Sequence, residues 1–177
     1  MLTHELSPGC HLRLLEERDA DELHVVVAAN HDHLARWLPW VEGHTPESSL
    51  EFIRDARRRH GANEGMTTAV VVDGAIAGVV GLHEISWMHG STSAGYWLAE
   101  RFQGRGLMTA AVRAYLDHAF RALGLHRFEI RTAVDNARSR AIPERLGFTH
   151  EGTLRGAERV GGRMLDLAVY SRLATDS

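Results

Sequence analysis

The sequence predicts an α/β protein in which a mixed, mostly antiparallel sheet is flanked by about four helices. The turns Asp73-Gly74 and Gly161-Gly162 each separate two stretches rich in apolar and β-branched residues, which is a strong signal for a β-hairpin. Segments with helical start signals lie between the strand patterns. The elements therefore follow the order β α α β β β α β α β β.

The first elements have clear local signals. The stretch "CHLRLLEE" alternates well enough to predict the first strand. A helix is predicted over 17–38, with Asp19 as its N-cap and Glu22 completing a capping box. Pro46, which follows Thr45, begins a second helix because proline at the first helical position loses no useful N–H group.

The later elements alternate between the two periodicities. Strands are predicted at 66–73, 75–87, 93–100, 126–134, 148–160 and 163–173, and helices at 106–123 and 135–147. Pro143 lies inside the last helix, where it removes the hydrogen bond to the carbonyl of Ser139 and is expected to kink the chain.

Composition excludes several classes of protein. The chain has 177 residues and a formal charge of −3, which predicts a single domain over 1–177 without the basic stripe of a nucleic-acid-binding protein. No apolar run approaches the ~18 residues of a membrane span. The lone Cys10 cannot form an internal disulfide, so we expect a cytoplasmic protein. It is a weak candidate nucleophile, and a half-buried strand position is expected instead.

Histidines raise the question of a metal site. The closest groupings are His31 with His33 and His83 with His89. Neither has the i, i+4 spacing of a zinc-binding helix, and no cysteine pair accompanies them. No metal is expected.

The stretch "RFQGRGLMT", residues 101–109, predicts a phosphate site. It joins a strand to a helix, and the first N–H groups of a helix lack internal partners and carry partial positive charge. Its glycines allow close approach of a ligand, and Arg101 and Arg105 add charge. A dinucleotide fold, a P-loop and a glycine turn that binds nothing are the alternatives. Thr109 stands where a dinucleotide motif has glycine, and no Lys follows Gly106 as in a P-loop.

The same loop resembles that of the GNAT superfamily of acyl-CoA-dependent N-acyltransferases. "QGRGLM" supplies Gln103 and Gly106 of that motif, with Met108 where the broad family has Gly or Ala. A register shifted to Arg101, Gly104 and Gly106 matches fully, but the spacing to the helix favours the first. The "GxGxMT" form is similar to the RimL/RimJ-like branch, which acetylates protein N-termini and other amines, and the element order matches over nearly the whole chain.

The resemblance implies a site for acetyl-CoA as cosubstrate. Two strands would splay apart to admit the pantetheine arm, the loop would bind the pyrophosphate, and the 97–99 backbone would donate to the oxyanion. The cofactor-binding residues implied are Trp97, Leu98, Ala99, Gln103, Gly104, Arg105, Gly106, Leu107, Met108, Thr109 and Asn136.

Acetyl transfer to an amine needs a base for the amine proton and benefits from an acid for the leaving thiolate. Pro143 stands where many family members have a tyrosine acid, whereas Ser139 matches the serine of RimL-like relatives. Ser139 is therefore the candidate acid, with helix capping as its alternative role. Glu158 matches a RimL-like glutamate with a base role, and Glu84 and Glu151 are competitors.

The acceptor side is expected around "RWLPWVEGH". Trp37 and Trp40 either pack on the core or face a partner, and Glu84 is placed with them as a substrate-side residue. The expected function is acetyl-CoA-dependent N-acetylation of a protein N-terminus or a small amine by direct attack, without an acyl-enzyme. The alternatives are a GNAT-like acyl-CoA-binding module without turnover and an NAD-binding oxidoreductase. Related proteins commonly dimerise, so a homodimer is one expectation.

Overall fold

The computed structural model describes residues 3–176. Its strands are β1 (Thr3–Ser7), β2 (Cys10–Leu14), β3 (Met66–Val72), β4 (Ala75–Ser86), β5 (Ser91–Leu98), β6 (Arg127–Ala133), β7 (Thr149–Val160) and β8 (Arg163–Leu173). Its helices are α1 (Ala20–Ala29), α2 (His31–Leu34), α3 (Pro46–Gly61), α4 (Leu107–Asp117) and α5 (Ala137–Arg145). A π-helical turn, His118–Ala122, continues α4.

The eight strands form one sheet in the order β1-β2-β3-β4-β5-β6-β8-β7. Within residues 3–176 only β5 and β6 pair in parallel, and the other neighbours are antiparallel. The mixed, mostly antiparallel α/β architecture predicted from the sequence is confirmed. Both predicted hairpins form, and Asp73 and Gly74 take φ values of 50° and 83°, as a two-residue turn requires.

Each face of the sheet packs against helices. On one face, alternate strand residues such as Val70 and Val80 join Ala111 and Tyr115 of α4 in the largest core cluster. On the opposite face, Val79 and its same-face neighbours pack against α1 and α3 through Leu23 and Ile53. Successive residues of a strand point to opposite faces, so the strands of this central region are apolar on both.

The helix predicted over 17–38 differs from the structure in two respects. It ends at Ala29, because the side-chain amide of Asn30 donates to the carbonyl of Val26 and its carbonyl oxygen accepts from the N–H of Glu100. Asp19 is the N-cap residue of α1, as predicted, but its side chain makes no capping bond, and the capping box with Glu22 is wrong. Asp19 binds Arg13 and the N–H of Glu16, and Glu22 accepts from the N–H of Ile76.

Strand β1 is absent from the elements predicted from the sequence. It pairs with β2 at the edge of the sheet, and most of its side chains are exposed, so it lacks the apolar alternation that marks a half-buried strand. The polar sequence Thr3–Ser7 gives no signal of that kind.

The sheet opens in its middle. β5 and β6 pair over only four residue pairs, from Ser91–Arg127 to Ala94–Ile130. Beyond them β5 runs on to Leu98 and β6 to Ala133 without pairing to each other. The result is a wedge-shaped gap between the two strands, as the family resemblance implied.

Candidate functional site

A large cleft of about 1930 Å³ occupies the gap between β5 and β6 and extends to both faces of the sheet. Its walls come from the end of β5, the loop before α4, the start of α5, strand β7 and the segment after α1. Several elements of the fold therefore line one cavity, at the place where β5 and β6 no longer pair.

The loop before α4 is shaped to bind an anion. Gly104 and Gly106 have φ values of 75° and 76°, a left-handed conformation that disfavours residues with a Cβ. No atom lies within 4 Å of a Cβ added to either glycine, so the backbone conformation rather than space selects glycine here. Within residues 3–176, no group accepts a hydrogen bond from the backbone N–H groups of 106–109. They leave a positively polarised helix N-terminus open to the cleft.

Charged and polar side chains surround this N-terminus. The guanidinium groups of Arg101 and Arg105 lie over the ring of Phe102, at 4.5 and 5.9 Å from its centroid. Arg105 lines the cleft. The side-chain nitrogen of Gln103 lies 2.6 Å from His33 Nε2 and 3.3 Å from the carbonyl of Leu98, while its oxygen accepts from Arg138. Gln103 thus ties the loop to β5 and α5.

The end of β5 directs the N–H group of Leu98 toward the gap. The N–H of Ala99 donates to the carbonyl of Ala77 on β4 and is therefore occupied. Backbone groups alternate in direction along a strand, so the N–H of Leu98 points away from β4 and toward β6. The backbones of β4 and β5 also lie close together at Gly78. A Cβ at that position would clash with the carbonyl oxygen of Trp97, so glycine is needed there.

The first turn of α5 forms another wall. The side-chain oxygen of Asn136 accepts from the N–H of Ser139 and caps the helix, so the capping role considered for Ser139 belongs to Asn136. The Ser139 hydroxyl instead lies 3.4 Å from the hydroxyl of Tyr96, on the cleft wall. The helix continues through Pro143 to Arg145.

The three candidate carboxylates have different surroundings. Glu158 lines the cleft, and burial raises the pKa of its carboxyl group. Glu151 is paired with Arg127, which lowers the pKa of Glu151 to about 2 and leaves it a poor base. Glu84 is exposed and, within the described chain, is not part of the cleft wall. The structure therefore does not bring Glu84 together with the other predicted site residues.

Glu158 and Ser139 approach the gap from opposite faces. Glu158 pairs directly with Leu165 across β7 and β8, and cross-strand partners share a face of the sheet. Leu165 packs with Ala133 and Trp37 in a small cluster separate from the α4 side. Ser139 belongs to α5, which packs against α4. A group in the gap can thus meet a base on one side and a hydroxyl donor on the other.

Of the two tryptophans in the segment after α1, one packs on the core and the other remains exposed, and these are the two roles expected from the sequence. Trp37 is half-buried and packs on the cluster around Leu165. Trp40 remains 43% exposed and lies 6.2 Å from Trp97 and 5.5 Å from His44, measured between ring centroids. Both line the cleft on the Glu158 side.

The comparisons with known proteins agree with this geometry. Residues 10–149 match the family model for the acetyltransferase (GNAT) domain. The chain belongs to the GNAT family. It is 35% identical over 98% of its length, and 96% of the relative's, to a Bacillus subtilis (strain 168) protein named "Putative ribosomal N-acetyltransferase YdaF".

Solved structures give the same assignment. RimL, the ribosomal L7/L12 alpha-N-protein acetyltransferase in complex with coenzyme A, superposes with a TM-score of 0.92 at 28% identity, covering 97% of both chains. The microcin C7 self-immunity acetyltransferase MccE, in complex with acetyl-CoA and AMP, gives 0.88 at 28% identity, covering 95% of this chain and 94% of that one. This GNAT protein is an acetyl-CoA-dependent N-acetyltransferase with RimL-like relatives, which excludes the NAD-binding oxidoreductase considered from the sequence.

Two cleft residues of this GNAT protein could not be identified from the sequence. Tyr96 lies within a strand pattern beside Trp97, where an aromatic residue signals only a core or wall position. His83 enters the sequence reasoning only as a metal ligand. It lines the cleft beside Gly95 and is exposed there, and desolvation by the cleft wall together with the charge of Arg59 lowers the pKa of its imidazole.

Residues 3–176 bring together no three His, Cys, Asp or Glu side chains that could hold a metal ion. None of the helices in that part of the chain has the length and apolar character that crossing a membrane requires.

Proposed function

We propose that this GNAT enzyme transfers the acetyl group of acetyl-CoA to the α-amine of a protein N-terminus by direct attack within a ternary complex. One observation carries the proposal. The open N-terminus of α4 lies beside the β5–β6 gap, with Ser139 on one side of that gap and Glu158 on the other. This arrangement supports a thioester held in the gap between an acid and a base.

The cosubstrate fits the residues present. The pyrophosphate of acetyl-CoA accepts hydrogen bonds from the N–H groups of 106–109, with Gly104 and Arg105 at its edge. The pantetheine arm lies against the backbone of 97–98, and the side-chain nitrogen of Asn136 donates to one of its amides. Gln103 holds this wall together through its own hydrogen bonds. Leu107, Met108 and Thr109 supply backbone to the phosphate site.

The residues then act on the two reacting bonds. Glu158 accepts a proton from the amine as nitrogen attacks the thioester carbon and the C–N bond forms. The N–H of Leu98 stabilises the tetrahedral oxyanion, since the N–H of Ala99 is already bound to Ala77. Ser139 donates a proton to sulfur as the C–S bond breaks, and solvent returns that proton to its hydroxyl.

An α-amine suits this site. Its pKa is about 7.7 to 8.0, against about 10.4 for lysine, so a carboxylate removes its proton far more easily near neutrality. The raised pKa of Glu158 brings that group closer to the working pH of a base. Cys10 is buried, and we propose no acyl-enzyme intermediate.

The relatives support two classes of acceptor. RimL is named for the alpha-N-protein acetylation of ribosomal L7/L12 and YdaF as a ribosomal N-acetyltransferase, whereas MccE is a self-immunity enzyme solved with AMP. We favour the protein N-terminus because Trp37 and Trp40 line the Glu158 side of the cleft, where they offer an apolar platform for a peptide. A small amine is the second candidate.

The deciding experiment measures thiol release from acetyl-CoA with a panel of acceptors. Half of the panel consists of peptides with different free N-termini, and half of polyamines, amino acids and aminoglycosides. We expect release with peptides that disappears when the α-amine is blocked. Release with small amines alone would overturn the N-terminal assignment. Tight acyl-CoA binding without release from any amine would instead support a binding module.

The remaining sequence-based expectations stay predictions. We propose that residues 1–177 form a single GNAT domain and that the protein acts in the cytoplasm. A homodimer, to be tested by light scattering, is also still a prediction.

A further inference from the structure

Tyr96 places a hydroxyl group directly behind Ser139. It lies near the end of β5, directly before Trp97 and beside the gap. Its ring packs against the core cluster on the α4 side of the sheet. Its hydroxyl donates to the backbone carbonyl of Ser139 at 3.2 Å, and the Ser139 hydroxyl donates to Tyr96 Oη at 3.4 Å. One phenol therefore contacts both the backbone and the side chain of the candidate acid.

Pro143 explains why that carbonyl is available. In a regular helix the carbonyl of Ser139 would accept from the N–H of residue 143, four positions on, but proline has no N–H group. A carbonyl that is partly removed from water and has no partner is costly, and the Tyr96 hydroxyl replaces the missing donor. The helix thus exchanges a local bond for a bond that fixes it to β5.

We propose that Tyr96 is a positioning residue for Ser139, holding its hydroxyl at the cleft wall and donating a hydrogen bond to Ser139 Oγ as the thiolate leaves. This inference rests on the proposed role of Ser139 as the acid. When the Ser139 hydroxyl turns toward sulfur, its oxygen becomes an acceptor, and the single hydrogen of the Tyr96 hydroxyl is then shared between Ser139 Oγ and the Ser139 carbonyl, both of which lie within its reach. Tyr96 keeps its own proton throughout, so it acts only through Ser139.

The surroundings of Tyr96 suit a permanent donor. Burial raises the pKa of its hydroxyl to about 12, so the phenol remains protonated at any pH at which an α-amine is acetylated. Two successive hydrogen bonds, from Tyr96 to Ser139 and from Ser139 to sulfur, polarise each other.

The first test is Tyr96→Phe, which removes only the hydroxyl and keeps the ring. We expect the single-turnover rate of acetyl transfer to fall about five- to tenfold, in line with the loss of one hydrogen bond, with the Kd for acetyl-CoA within about twofold of wild type. Tyr115→Phe is the matched control. The Tyr115 hydroxyl is hydrogen-bonded to the hydroxyl of Thr68 and donates to the carbonyl of Val80 in the core, so we expect its removal to lower the melting temperature without lowering the rate.

A double-mutant cycle separates positioning from simple support of the fold. If Tyr96 acts through Ser139, Tyr96→Phe has no further effect on the rate once Ser139→Ala is present. An equal fall in both backgrounds, or no fall in either, would overturn the inference. Should Ser139→Ala itself leave the rate unchanged, the acid role fails first, and that outcome is distinct from a failure of Tyr96 alone.

Adding Pro143→Ala to Tyr96→Phe supplies a second test, which remains informative if Tyr96→Phe alone is unstable. The new N–H group can satisfy the carbonyl of Ser139 but does not reach its hydroxyl. We expect Pro143→Ala to restore the melting temperature of Tyr96→Phe without restoring its rate. Recovery of both would show that Tyr96 serves only the helix backbone, and would refute the positioning role.

Discussion

Glu151 and Glu158 lie on the same strand, β7, and their surroundings shift their pKa values in opposite directions. Glu151 bonds to Arg127 and to the hydroxyl of Ser171, and its pKa falls to about 2. Glu158 is desolvated at the cleft wall, and its pKa rises. The first environment favours a structural anion, and the second favours a carboxylate that takes up a proton more readily than a solvated one.

Glu158→Gln should therefore lower the rate of acetyl transfer but raise the stability of the fold at high pH. We expect the single-turnover rate to fall about 100-fold, as for the loss of a general base. A carboxyl group whose pKa is raised by folding destabilises the protein as pH rises through that pKa. The variant should thus be more stable than wild type at pH 8 and equal to it below pH 4, measured by urea unfolding at both pH values.

Glu151→Gln is the control on the same strand. Because the pKa of Glu151 is lowered on folding, its contribution to stability is present above about pH 4.5 and lost as pH falls toward 2. The variant should lose stability at pH 8 and retain the wild-type rate. A wild-type rate in Glu158→Gln, or a large loss of rate in Glu151→Gln, would contradict the assignment of the base.

Single residues also show the limits of sequence reasoning. The hydroxyl of Ser139 and the carboxyl of Glu158 could be nominated because they match positions of the RimL-like resemblance. The partner of Ser139 could not, because Tyr96 lies 43 positions earlier and meets it only through the packing of α5 on the sheet. Local spacing favours Asp19 as a cap, but Arg13 on the neighbouring strand competes for its carboxylate.

At the scale of elements, the loop before α4 and the turn that follows its π-helical extension provide a matched pair. Gly106 and Gly124 both have positive φ, 76° and 65°, and a Cβ added at either position would meet no atom within 4 Å. Alanine at either position is disfavoured by about 1–2 kcal/mol through its backbone conformation alone. Only Gly106 adjoins the open N–H groups of the cleft.

Gly106→Ala should therefore weaken CoA binding, whereas Gly124→Ala should not. Both variants should melt at a lower temperature than wild type, because both carry the same kind of backbone strain. Isothermal titration with CoA distinguishes them, and we expect the Kd of Gly106→Ala to rise about tenfold. Equal Kd values for the two variants would mean that the loop does not bind the pyrophosphate.

Elements were predictable where their signals are local. The start of α3 follows from Thr45 and Pro46, and the Thr45 side chain accepts from the N–H of Ser48 as an N-cap should. The break after α1 was not predictable, because it depends on the contact between Asn30 and Glu100 in a distant loop. Edge strand β1 was not predicted for a related reason. Its pairing with β2 makes it a strand, and its own sequence has no apolar alternation.

At the scale of the whole molecule, ligand binding and stability are linked. A ligand that binds only the folded state at 100 times its Kd adds about 2.7 kcal/mol to the free energy of unfolding. For a chain of this size each kcal/mol raises the melting temperature by about 2–4 °C. Saturating acetyl-CoA should therefore raise it by about 5–10 °C in a thermal-shift assay. NADH at the same concentration should have no effect, and stabilisation by NADH alone would contradict the assignment.

The narrow junction between β5 and β6 also acts as a pivot. The two strands are joined at Ala94 and free at Leu98, so about 13 Å of strand extends beyond the last pair. A rotation of about 5° between the two parts of the sheet would move the tip of β5 by about 1 Å at that lever length. A small angle at this joint would thus change the width of the cleft at the end of β5. Those four residue pairs are therefore the joint across which the width of the gap would change.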